Sequence, residues 1–175
     1  MPNPAGMAAQ SPPAASAEPG VPLRLDDYLP YLINRAGVAM AARFSAVLRR
    51  EGISLPDWRV LAALRERNGQ RLTELACRTS IEISTLSRLV SSLEAGGLVT
   101  RDRDTEDARA IAIRISPAGE DLSARLTPVA QNLEKTALAG LSETEAQQLK
   151  ELLHRVFDNL DAVPAVDAET VTGAR

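Results

Sequence analysis

The sequence predicts a mainly helical α+β fold, with six helices and one β-hairpin set between the fourth and the fifth. Three observations carry that prediction. Apolar residues recur at helical spacing through most of residues 25–163, and the period switches to strict alternation only over 98–115. Capping and stopping residues fall at the joints between these stretches. The length of 175 residues fits one domain, and a hydrophobic fraction of 45% is enough for its core.

Composition removes several function classes. Aromatics are only 3%, which argues against a base-stacking surface for single strands. One cysteine, Cys77, excludes an internal disulfide framework and a cysteine-built zinc site. One histidine, His154, leaves little room for a Ser/His/Asp triad or a His-rich metal centre. No phosphate-cradling glycine loop is present, so neither an enzyme nor a cofactor is expected. No apolar run reaches the ~20 residues that span a bilayer.

Six prolines among Ala, Ser and Gly predict that 1–22 is disordered, and 164–175 reads as a frayed tail. No basic residue precedes Arg24 and no compact apolar stretch follows, so 1–22 is not read as a secretory signal and the chain is expected to be cytoplasmic. Net charge is −3, but it is unevenly spread. Residues 59–115 hold ten Arg against eight acids, the only positive balance, whereas 116–163 hold four bases against eight acids. Arginine is the side chain best suited to bidentate phosphate or guanine contacts.

The first helix is expected over about 25–50, with Leu25, Tyr28, Leu29, Leu32, Ala36, Ala39, Met40, Val47 and Leu48 on its inner face and Gly52 as its stop. Ser54-Leu55-Pro56-Asp57 opens the second: a capping serine, an early proline and an acid three residues on. Trp58, Val60, Leu61 and Leu64 face inward there, and Asn68-Gly69 ends it. The third helix has Thr73 as its cap and Leu72, Leu75 and Ala76 as apolar positions. The fourth, about 83–95, turns Ile83, Leu86, Leu89, Val90 and Leu93 inward and stops at Gly96-Gly97. Residues 98–103 and 110–115 form the hairpin strands, the latter with three isoleucines on one face, and 104–109 form a charged tip. Ser116-Pro117 caps the fifth helix, with Leu122, Leu126, Val129 and Leu133 as its stripe and Gly140 as its end. The capping box Ser142-Glu143-Thr144-Glu145 starts the sixth, with Leu149, Leu152, Leu153, Val156, Leu160 and Val163 along one side.

Two short helices, a two-glycine stop and a basic-tipped hairpin make a winged helix-turn-helix. A major groove admits one α-helix whose outer side chains are small or can bond base edges. The outward face of 83–95 offers Ser84, Thr85, Ser87, Arg88 and Ser91. Thr73, Arg103 and Arg109 add candidate DNA contacts, with Arg109 placed for the adjacent minor groove. Asp107 cannot favour a phosphate and is read as the partner that fixes an arginine and shapes the wing.

With these motifs the chain resembles the MarR family of bacterial transcription regulators over about 25–162. The resemblance rests on Ile53-Ser54-Leu55-Pro56-Asp57-Trp58-Arg59-Val60-Leu61 and Leu72-Thr73-Glu74-Leu75-Ala76. It continues through Ser84-Thr85-Leu86-Ser87-Arg88-Leu89-Val90 and Leu93-Glu94-Ala95-Gly96-Gly97-Leu98-Val99. It closes on Asp107-Ala108-Arg109-Ala110 and Ile115-Ser116-Pro117-Ala118-Gly119. Ser87 stands where many members have Thr, and Asp104 and Glu106 make this wing unusually acidic.

The resemblance implies an obligate homodimer. Residues 53–115 would form the DNA-binding lobe, and 23–52 with 116–163 the dimerisation helices. The apolar stripes at both ends of the chain agree, since they exceed what a small winged helix buries alone. The implied activity is that of a repressor on a pseudo-palindromic duplex operator, released by a small phenolic or aromatic carboxylate. Arg35 shares a helical face with Tyr28, Tyr31, Leu32 and Ala39, and a guanidinium among apolar groups matches a carboxylate. Trp58 can stack an aromatic ring. Two alternatives stay open: a thiol-based redox regulator acting through Cys77, which otherwise reads as a small core residue, and a winged helix used only for protein contact. His154 reads as a structural or solvent-facing histidine.

Overall fold

The computed structural model describes residues 22–103 and 110–162. The expected disorder of 1–22 and of 164–175 lies outside the described residues, apart from Pro22. The chain divides into two packed units, one ending at Gly37 and one beginning at Val38.

The first unit opens with a 3₁₀ turn, Leu25–Asp27, and enters helix α1, Leu29–Leu48. Here the expected single helix over 25–50 is corrected. Tyr28 is extended (φ −88°, ψ 108°) and separates the two pieces. Pro30 supplies the reason, because its ring would clash with the carbonyl of residue 26 in a continuous helix, while in the first turn its missing N–H costs nothing. Leu23, Leu25, Tyr28, Leu29, Leu32 and Ile33 are all exposed in this unit.

In the second unit α1 continues through Phe44 and Leu48, both buried. A 3₁₀ turn, Arg49–Glu51, then ends on Gly52 in the left-handed region (φ 75°). Helix α2, Leu55–Glu66, starts on the expected capping box: Asp57 N donates to Ser54 Oγ and Ser54 N to Asp57 Oδ2. A strand of two residues, β1, Gln70–Arg71, follows, too short to leave a period in the sequence. Helix α3 is Leu72–Thr79 and α4 is Ile83–Ala95. Strands β2, Val99–Arg103, and β3, Ile111–Ile115, form the hairpin. The sheet order is β1-β3-β2, all antiparallel, with Gln70 opposite Ile113 and Val99 opposite Ile115. Helices α5, Pro117–Ala137, and α6, Glu143–Asp161, complete the chain.

The core joins α1, α2, α3, α4, the sheet and α5. Leu48, Val60, Leu61, Leu64, Leu75, Leu86 and Val90 are wholly buried, with Leu93, Val99, Ile113, Ile115, Leu122 and Leu126 nearly so. Burial of each such leucine contributes roughly 1.5–3 kcal/mol. Trp58 packs edge-on against Phe44, ring centroids 5.4 Å apart at 85°.

Several inward assignments need correction. Only two of the three strand isoleucines are buried. Ile111 lies opposite Arg103 at the outer end of the hairpin, beyond the helices that cover Ile113 and Ile115. Thr73 does not cap α3; the Glu74 carboxylate accepts from Arg71 N at 2.7 Å instead. Cys77 is exposed rather than in the core, because Leu75 and Thr79 define the inner face of α3 and residue 77 lies half a turn away. Helix α6 buries nothing within the single chain, and Leu149, Leu152, Leu153, Phe157 and Leu160 are exposed along it. Among the described residues no helix is long and apolar enough to cross a membrane.

Candidate nucleic-acid interface

Helix α4 is held from below by Leu86, Val90 and Leu93, all buried. Its outer surface exposes Ser84, Thr85, Arg88 and Ser91, with Ser87 half-buried. Of the expected DNA contacts, these five therefore share one element. Thr73 is exposed on α3, and Arg103 is exposed at the end of β2. Arg109 and Asp107 lie outside the described residues. Arg59, Arg88 and Arg103 enter no ion pair among the described residues, whereas Arg67, Arg78, Arg101 and Arg114 are matched to Glu74, Glu66, Glu94 and Asp102. Among the described residues Arg88 makes only a 3.5 Å contact, from Nε to Ser84 O, which leaves most of its donors available there.

Two residues that the sequence did not single out shape this surface. The first is Arg101 on β2. Its Nη1 bonds Glu94 Oε2 at 2.5 Å, and its Nη2 bonds Ser91 Oγ at 2.9 Å and Ser87 O at 3.4 Å. One guanidinium thus ties the first strand of the wing to α4 at Ser87, Ser91 and Glu94. The Ser91 hydroxyl is already engaged, since it also donates to Ser87 O at 3.0 Å. Strand alternation carried the signal, for Arg101 falls on the same face as the buried Val99.

The second is Glu82, which caps α4. Its carboxylate accepts from Ser84 N at 2.9 Å, from Thr85 N at 3.0 Å and from the Ser84 hydroxyl. Those bonds hold its carboxyl down to about 2 from the usual 4.5, the Ser84 hydroxyl contributing most. Glutamate is not among the favoured capping residues, so composition gave no hint of it. Glu82→Gln keeps the shape and removes the charge. Thermal melts are expected to show the parent above the variant at pH values over 4.5, with the gap closing as pH falls from 4.5 towards about 2. A gap that does not change with pH would mean the charge contributes nothing to the cap.

The effector residues expected from sequence are distributed differently. Tyr28 falls outside α1, so the helical-face argument keeps Tyr31 and Arg35 but loses Tyr28. Tyr31 is half-buried and Arg35 exposed in the first unit; Trp58, in the second, is half-buried against Phe44. His154 is exposed on α6.

Comparison with known proteins places this arrangement. The MarR family profile matches residues 53–111, which run from the start of α2 to the first residue of β3. The HTH-type transcriptional repressor IacR of Pseudomonas putida is 27% identical over 140 residues, covering 80% of this chain and 84% of the relative. BpsR of Bordetella bronchiseptica, a protein whose DNA binding is regulated by 6-hydroxynicotinic acid, shares the fold at a TM-score of 0.71 and 23% identity, covering 79% of this chain and 99% of BpsR. A MarR family transcriptional regulator of Silicibacter pomeroyi DSS-3 superposes with a TM-score of 0.68 at 32% identity, covering 79% of this chain and 99% of that one. The capped and seated α4, the hairpin strapped to it and these likenesses together show that the chain belongs to the MarR family of transcriptional regulators.

Proposed function

We propose that this chain is a homodimeric repressor that reads a pseudo-palindromic DNA duplex through α4 and is released by a small aromatic carboxylate. The observation that carries the DNA reading is the outer surface of α4. It combines small hydroxyl residues, which let the backbone approach a groove floor, with Arg88, most of whose donors are unspent among the described residues. Residues 53–115 form the DNA-binding lobe in this reading. Residues 23–52 and 116–163 form the dimer, their exposed leucines covered by a second copy. Arg103 reaches the flanking backbone or minor groove in this reading, and Arg109 is assigned the same role from the sequence alone. Thr73 adds a phosphate contact.

The test uses a duplex selected by the parent chain from a random-sequence library. Arg88→Ala is expected to lose about 1–3 kcal/mol of affinity and to relax base choice at one position in each half-site. Equal affinity and equal base preference in variant and parent would remove Arg88 as a reader.

Support for the effector comes from Arg35, exposed on α1 one turn from Tyr31, and from the fold shared with BpsR, which responds to an aromatic acid. A planar fork beside an aromatic ring suits a benzoate- or nicotinate-like anion. Release follows if such an anion binds better to a dimer whose α4 helices no longer match the half-site spacing. Arg35→Ala is expected to abolish release by any aromatic acid that stabilises the parent in a thermal-shift screen, with DNA affinity kept. Unchanged release would exclude Arg35.

A further inference from the structure

Helix periodicity puts Ile83 on the inner stripe with Leu86 and Val90, yet the structure leaves it 44% exposed while both partners are wholly buried. Its position explains the difference. Ile83 is the first residue of α4, and helical side chains lean towards the N-terminus, so this one leans past the helix end instead of onto the turn beneath. The result is a branched aliphatic group presented to solvent beside the polar Ser84, Thr85 and Arg88.

We propose that Ile83 is a specificity-determining residue that packs on the 5-methyl group of a thymine in each half-site. The inference rests on the proposed DNA reading by α4 and deepens it. Recognition helices present their N-terminal residues to base edges in the major groove. The thymine methyl is the one apolar group in that groove, and aliphatic side chains are its natural partners. Glu82 narrows the choice further. A bare helix N-terminus attracts phosphate through its free N–H groups. Here the amides of Ser84 and Thr85 are already bonded to the Glu82 carboxylate, which would repel a phosphate. The first turn of α4 is therefore suited to a base edge rather than to the backbone. Ile83 supplies its apolar contact.

The experiment takes the full chain and the selected duplex, remade with deoxyuridine in place of one symmetry-related pair of thymidines at a time. Uracil lacks only the methyl. For the parent, at least one symmetric pair of substitutions is expected to weaken binding by roughly four- to fifteenfold, the scale of one to two fully buried methyl-sized groups. Ile83→Ala is expected to bind the thymine and uracil duplexes equally, with the affinity that the parent shows for the uracil duplex. Ile83→Val, which keeps a branched contact, is expected to retain the preference and guards against a trivial folding defect in the alanine variant. A parent indifferent to every uracil substitution would overturn the proposal. So would an alanine variant that stays as sensitive as the parent, since another group such as Thr85 would then read the methyl. If the parent selects no sequence at all, the DNA reading itself falls and this inference falls with it.

Discussion

Alanine at Gly119 is expected to destabilise the fold by about 3 kcal/mol, near the top of the range for overpacking a well-filled site. A Cβ built on this residue would stand 2.2 Å from Leu98 O and 2.8 Å from Ile115 Cγ1. The first obstacle is backbone and cannot swing aside. Gly119 also sits at the junction of three elements. Its N–H donates to Ser116 Oγ at 3.1 Å, and that hydroxyl donates to Gly97 O at 2.6 Å. Ser116 N donates to Leu98 O at 3.0 Å. Relief of the clash must therefore move α5 away from both ends of the hairpin. For a chain of this size the loss corresponds to a fall in melting temperature of roughly 6–12 °C. Gly96→Ala is the matched control. Its Cβ meets only Leu93 O and Ser92 O at 3.5 Å with φ −77°, so a change within about 0.5 kcal/mol is expected. Equal melting of the two variants would contradict the close approach at Gly119.

That junction shows where the sequence is legible and where it is not. Elements bounded by side-chain chemistry could be placed from residues alone: the boxes at Ser54 and Ser142, the Ser116-Pro117 start and the stop at Gly52 all stand where their chemistry puts them. Features that depend on what an element meets in space could not. Gly119 reads as an ordinary early-helix glycine until Leu98 is laid against it. Strand β1 is two residues long and exists because Gln70 and Arg71 find the free edge of β3. A period of 3.6 puts Ile83 inside, since periodicity does not show that the first residue of α4 leans past its own helix end. Within the candidate interface the hydroxyl face and Arg88 were legible. The Glu82 cap was not, because glutamate seldom fills that role, and Arg101, whose alternation with Val99 is visible, takes its role only from meeting Glu94 and Ser91 in space.

The α6 stripe carries the second large expectation. Leu149, Leu153, Phe157 and Leu160 recur at intervals of three and four and are exposed in the single chain, Leu160 at 71%. Exposed aliphatic and aromatic side chains in such a row mark an interaction surface. Leu153→Glu with Phe157→Glu leaves the core around Leu61 and Leu86 untouched, and glutamate is a good helix former. In a two-fold pair the double variant would put four carboxylates into an apolar interface, a cost that the lost contacts cannot offset. Sedimentation equilibrium is expected to show the parent as a dimer and the variant as a monomer. Affinity for the selected duplex is expected to fall at least roughly a hundredfold, because two linked half-site contacts become two independent ones. Far-UV circular dichroism should retain helices α2, α3 and α4. A variant that stays dimeric would move the dimer interface away from α6.

The central claim is that two copies of α4, related by a two-fold axis, lie in successive major grooves. Sequencing the duplexes that the parent chain retains from a random library tests it most directly. The account predicts enrichment of an inverted repeat with half-site centres about 10 base pairs apart, bound by two chains per duplex. Absence of any enriched sequence, or enrichment of a single unrepeated site bound by one chain, would contradict it.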